Sequence, residues 1–180
     1  MTDPESPAAL PVKSPSRRRR WWRLALQVMV IVAIIAGIRI WQQRDLVSGP
    51  APVRAGVLLD GRPVAVIGRA GEPMLVHFWA TWCPICSAEQ GSIEALSQDY
   101  PTLTVAMQSG SDAEVVGHLR KEALSFPVLN DPEALVSRQW GVRAVPTSFI
   151  VDAQGRIRFV EVGYTTSLGL RLRLWLARYF

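Results

Sequence analysis

Cys83-Pro84-Ile85-Cys86 holds the only two cysteines of this 180-residue chain, and their spacing could support redox chemistry. Two cysteines three positions apart on a first helical turn can close a disulfide. The preceding run Met-Leu-Val-His-Phe-Trp (74–79) reads as a short buried strand, and residues 83–98 read as a helix with Ala88, Ile93 and Leu96 facing inward. A helix start offers unpaired N–H groups and the positive end of the helix dipole, which stabilise a thiolate on Cys83. Pro84 suits that first turn, where its missing N–H leaves nothing unpaired. Cys83, the more exposed thiol, would attack a substrate disulfide. Cys86, one turn further in, would resolve the mixed disulfide.

A CxxC pair has other readings. Half a zinc site lacks its remaining ligands, because there is no further cysteine and the two histidines, His77 and His118, are far apart in sequence. Haem attachment requires a histidine directly after the second cysteine, where Ser87 stands. A Cu(I)-binding thiol pair and a purely structural disulfide stay open on these residues alone.

The elements that must position the pair alternate. Residues 57–60 and 64–67 flank a hairpin signal at Asp60-Gly61, and 103–107 read as a second buried strand. Asp112 would cap a helix to about Ala123 with Val115, Val116 and Leu119 as its apolar side, and Asp131 a shorter helix to Trp140. His118 reads as exposed. Residues 147–151 and 156–162 form an antiparallel pair around Asp152-Ala153-Gln154-Gly155. A last helix runs from Thr166 to the end, with Leu168, Leu172, Trp175 and Tyr179 on one face as its packed stripe and Leu170 and Leu174 off it. The fold class is α/β, a central mixed β-sheet flanked by helices.

Residues 75–90, Leu-Val-His-Phe-Trp-Ala-Thr-Trp-Cys-Pro-Ile-Cys-Ser-Ala-Glu-Gln, resemble the active-site strand and helix of thioredoxin-fold proteins. About 60 residues on, Gly141-Val142-Arg143-Ala144-Val145-Pro146-Thr147-Ser148-Phe149-Ile150-Val151-Asp152 resembles the loop that carries that family's cis-proline. The similarity extends over residues 54–180 and is to the membrane-anchored, periplasm-facing TlpA-like, ResA-like and DsbE-like branch, including ScsD-like oxidoreductases. The resemblance implies a thioredoxin-like fold and a cis Val145–Pro146 bond, with Val145 free to pair with an extended substrate segment and Thr147 completing the loop. It implies that Trp82 shields the nucleophile's flank and that Glu89 tunes the thiols, although Glu89 also reads as a solvated helix position. Cytoplasmic thioredoxins carry an aspartate where this chain has His77, a candidate proton relay to Cys86 or a neutral core residue. Members dedicated to cytochrome c maturation usually have an acidic residue after the cis-proline. Thr147 stands there, which argues against a haem-protein client.

Charge and hydropathy place the domain. Residues 1–49 hold eight basic and three acidic groups, and residues 50–180 hold twelve of each, so the net +5 belongs to the N-terminus and a nucleic-acid-binding body is not implied. Proline-rich residues 1–20 read as a disordered basic cytoplasmic tail. Residues 21–41, apolar with a tryptophan at each end, read as a transmembrane anchor in the lipid bilayer, oriented N-inside by Arg17 to Arg20. A cleaved signal peptide is the alternative, although no good small-x-small cleavage site follows. Residues 42–53 read as a linker and 54–180 as the thioredoxin-like domain. The expected function is a thiol–disulfide oxidoreductase on the outer face of a bacterial inner membrane. It would reduce cysteine-containing periplasmic clients and be recharged by a membrane electron-transfer partner. A disulfide-forming oxidase, a copper-handling module linked to copper tolerance, and a redox-dead docking module are the alternatives. No metal site and no cofactor beyond the Cys83–Cys86 disulfide is assigned.

Overall fold

The computed structural model describes residues 17–43, 46–52, 56–64 and 71–179, with the side chains of 17–20 and 39–43 left out. The tail reading of residues 1–16, the outer part of the 64–67 strand and the last residue therefore lie outside the described residues. The chain divides into two units, Met1–Ile40 and Trp41–Phe180.

The first unit holds most of helix α1 (Arg17–Gln43). Its stretch Trp21–Ile38 is wholly exposed, apolar and long enough to cross a bilayer. Helical structure already includes 17–20, which the sequence reading assigns to the proline-rich disordered tail.

The second unit begins with two-residue strands β1 (Gly49–Pro50), β2 (Gly56–Val57) and β3 (Pro63–Val64). There follow β4 (Met74–Trp79), α2 (Pro84–Asp99), β5 (Thr102–Met107), α3 (Asp112–Lys121), β6 (Val128–Asp131) and α4 (Leu135–Gln139). The chain ends with β7 (Thr147–Val151), β8 (Arg156–Val162) and α5 (Ser167–Leu176), continued by a 3₁₀ turn over Ala177–Tyr179. Six strands make one mixed sheet in the order β1-β8-β7-β4-β5-β6, while β2 and β3 pair separately. β4 runs parallel to β5 and antiparallel to β7, and β7 and β8 form the expected antiparallel pair.

Alternation along β4 divides the core. Leu75 and Trp79 pack with Ile93 and Leu96 of α2, Val115 of α3 and Leu170 and Leu174 of α5. Val76 and Phe78 face the other way, onto Trp140, Phe149 and Leu103. Helices thus cover both faces, as the α/β pattern implied.

Several expectations change. The linker reading of 42–53 gives way to an edge strand: Gly49 and Pro50 pair with Ile157 and Arg156, and the Ala51 N–H donates to Gly155 O at 2.8 Å. Strand β6 was not foreseen, because Pro127-Val-Leu-Asn-Asp has too few apolar residues to signal a strand. Ala134, not the expected Asp131, is the N-cap of α4, but the Asp131 carboxylate reaches the helix start from the end of β6 and accepts from Val136 N at 3.1 Å and Ser137 N at 2.8 Å. Ser111 replaces Asp112 as the cap of α3 in a reciprocal capping box with Glu114. Ala88 is exposed; Cys86, Glu89, Gln90, Ile93 and Leu96 form the inner face of α2.

The largest correction concerns α5. Leu170, Leu174 and Ala177 are its buried side, whereas Leu168, Leu172, Trp175 and Tyr179, the expected core stripe, are exposed. Both sets recur at helical spacing, so periodicity could not choose between them; the sheet accepts the smaller aliphatic set and leaves the aromatic one outside. Leu174→Ala is expected to destabilise the domain by about 2–5 kcal/mol, whereas Leu172→Ala changes stability by less than about 0.5 kcal/mol. Chemical unfolding of the two variants checks the phase, and a larger loss for Leu172→Ala would reverse it.

Candidate active site

The thiol pair stands where a buried strand hands over to a helix. Cys83 has extended backbone geometry and caps α2, with Pro84 in the first turn. Its Sγ accepts the Cys86 N–H at 3.2 Å, taking up one of the amides that a helix start leaves unpaired. The Cys83 thiol also lies 3.7 Å from Val145 O, toward which it donates. Both thiols are free. Cys83 is 5% exposed and Cys86 0%, so the order of accessibility matches the expected one, although neither is open. Burial pushes the Cys86 thiol far up, and the neighbouring Cys83 and Glu89 add to the shift.

The second loop meets the pair. The Val145–Pro146 bond is cis. Pro146 O accepts from Gly163 N at 2.8 Å, which ties this loop to the segment between β8 and α5. Thr147 is buried and its hydroxyl donates to Ala144 O at 2.8 Å, so this side chain is spent on shaping the loop. Trp82 is 60% exposed beside Cys83, and its indole N–H donates to Gln108 O at 3.0 Å.

Glu89 is not a solvated helix position. It is fully buried, with Oε1 accepting from Thr165 N at 3.1 Å and Oε2 without a hydrogen-bond partner. Burial raises its pKa to about 7, the Thr165 N–H opposing the rise. His77 is also buried. Its Nδ1 lies 2.9 Å from Ser148 Oγ, across the β4–β7 register, and burial lowers its pKa to about 3. The imidazole is therefore neutral at physiological pH.

Sequence reasoning missed three partners. Half-buried His118 meets Gln90 Nε2 at 3.0 Å through its Nε2 and lies with its ring 5.5 Å from that of Trp79, although it had been read as exposed. Helical spacing from Val115 could have found it, since 115 and 118 share a face. Ser109 accepts the Thr81 N–H at 3.1 Å and steadies the turn before Cys83. Thr165, the partner of Glu89, lies 76 residues away and has no local signal. Among the described residues, no group of three or more His, Cys, Asp or Glu side chains converges as a metal site.

The Redoxin family model matches residues 47–168. The chain belongs to the Redoxin family. A DsbE homolog of Paracoccus denitrificans, a thiol:disulfide interchange protein, is 40% identical over 156 residues, which cover 80% of this chain and 87% of that one. A thioredoxin-like protein of Haemophilus influenzae is 33% identical over 110 residues, 61% of this chain, and the match spans 65% of that relative's length. The crystal structure of a thiol:disulfide interchange protein of the thioredoxin family from Chlorobium tepidum superposes with a TM-score of 0.62 at 25% identity, covering 73% of this chain and 97% of that one. This Redoxin protein is thus a thioredoxin-like thiol:disulfide oxidoreductase of the DsbE, ResA and TlpA type, with an N-terminal apolar helix. Its family match begins at residue 47, in agreement with the placement of β1.

Proposed function

We propose that this protein reduces disulfides of exported client proteins from the outer face of an inner membrane. In this reading residues 1–20 stay in the cytoplasm, 21–41 anchor the chain, and the catalytic domain follows a short connection. The observation that carries the direction of electron flow is the burial of Cys86. A thiol held protonated by burial and by a nearby carboxylate gains little from reduction, which favours the disulfide form of the pair and makes the dithiol a good donor.

The reaction is a two-step exchange. The Cys83 thiolate attacks one sulfur of the client disulfide; a Cys83–client bond forms as the client S–S bond breaks, and the departing client thiolate takes up a proton. Cys86 then loses its proton, for which the Glu89 carboxylate is the nearby buried acceptor, and attacks Cys83 Sγ. The second client thiolate leaves, two electrons have passed to the client, and the Cys83–Cys86 disulfide remains for a membrane electron-transfer partner to reduce. Val145 and Pro146 would hold an extended client segment beside Cys83. Trp82 walls one side, Thr147 shapes the loop, and neutral His77 supports the strand below the thiols.

The reduction potential of the pair, equilibrated with glutathione, tests the direction. A value at or below about −220 mV is expected, in the range of reducing thioredoxin-like pairs. A value near −120 mV would transfer the protein to the disulfide-forming oxidases.

A further inference from the structure

We propose that the outer face of α5 is a membrane-docking surface that rests on anionic lipid headgroups and holds the thiols away from the bilayer. This rests on the reading of residues 21–41 as an anchor. Leu168, Leu172, Trp175, Leu176 and Tyr179 all fall within one helical face, and Leu168 and Tyr179 are 78% and 72% exposed. Trp175 and Tyr179 stack edge to face at 5.0 Å, making one continuous apolar surface. A contiguous exposed apolar patch on an otherwise well-packed domain marks an interaction site.

Composition selects lipid over a protein groove. Residues 163–179 contain three arginines and no acidic residue. Asp99 meets Arg171 at 2.6 Å and Glu161 meets Arg173 at 2.5 Å, so the stretch keeps surplus positive charge, with Arg178 exposed at the edge of the apolar face. Leucine and aromatic side chains on one side with arginine at the rim is the composition of helices that lie in a headgroup layer, where tryptophan and tyrosine concentrate.

The topology of the domain agrees. The Val162 end of β8 pairs with Thr147, next to Pro146 and the thiols. The opposite end, Arg156 and Ile157, pairs with β1, where the chain enters the domain. α5 starts near Glu89, through Thr165, and returns to place Arg171 and Arg178 over the ring of Tyr100, just past the end of α2 remote from Cys83. Trp175 and Tyr179 therefore lie toward the end at which the chain enters.

The test uses the full chain in liposomes of phosphatidylcholine and phosphatidylglycerol. A benzophenone amino acid replaces Leu172 in one variant and exposed Glu133, ahead of α4, in another. Phospholipid adducts after illumination are expected to be at least fivefold more abundant at 172 than at 133, and Leu168→Glu with Trp175→Glu should bring position 172 down to that background. Equal labelling at both positions, or a cross-linked dimer in place of the lipid adduct, overturns the proposal. An alkaline wash reads the anchor separately. A chain retained by the membrane without the adduct at 172 defeats the docking face alone, and a chain stripped after forming the adduct defeats the anchor and keeps the face.

Discussion

Cys83→Ser is expected to lower disulfide-reducing turnover by roughly 10³-fold or more, because it removes the only sulfur that a client can reach. Cys86 is fully enclosed and its thiol is held protonated by burial, so it cannot substitute as the attacking group. Cys86→Ala should behave differently. The first exchange survives, since Cys83 keeps its place as helix cap, but the mixed disulfide has no resolving thiol and accumulates. The two variants are thus both inactive in turnover and opposite in trapping. Non-reducing electrophoresis after mixing with an oxidised protein substrate reads this directly: a high-mass adduct with Cys86→Ala and none with Cys83→Ser. In the dithiol wild type, iodoacetamide should modify Cys83 first. An adduct formed through Cys86, or turnover that survives Cys86→Ala, would overturn the assignment of roles.

What the sequence made legible was the part of the site written in adjacent residues. Strand, tetrapeptide and helix follow one another within residues 74–99, and local rules of capping and periodicity place them. The cis-proline loop lies about 60 residues on, and only a resemblance could attach it to the thiols. What stayed illegible depends on partners brought in by the fold. Glu89 could be a solvated residue favoured by the helix dipole or a buried acid, and the difference is the position of the 163–166 segment, which no local pattern fixes. The phase of α5 failed for a related reason. Its two candidate stripes are both apolar, and the choice is made by the shape of the space between α2 and the sheet. Strand β1 was lost to its Gly-Pro composition, which describes a turn until a neighbouring edge is available to pair with.

The two buried titratable groups should give the domain an unusual pH dependence of stability. Glu89 has a folded pKa of about 7 against 4.5 unfolded. Between these values the folded state holds a proton that the unfolded state has released, so Glu89 alone makes stability fall as pH rises, by on the order of 3 kcal/mol in total. His77 has a folded pKa of about 3 against 6.5 unfolded. Between those values the unfolded state holds the extra proton, so His77 alone makes stability fall as pH drops. The windows overlap from about pH 4.5 to 6.5, where the proton counts of the two groups cancel. Wild-type stability should therefore be nearly flat between about pH 5 and 6. Glu94, partly desolvated but held below the usual carboxylate range by hydrogen bonds from Ser125 and Phe126, contributes a slope only at more acid pH. Glu89→Gln keeps an acceptor for the Thr165 N–H and removes one of the opposed slopes. The variant should gain stability with rising pH at up to about 1.4 kcal/mol per unit between pH 5 and 6, and at pH 8 should exceed wild type by about 3 kcal/mol. Denaturant titrations of the dithiol form of a fragment starting at residue 46 measure this. A variant that tracks the wild-type curve at every pH would mean that the Glu89 carboxyl titrates in the folded protein as it does in the unfolded chain, and the burial assigned to it would be overturned.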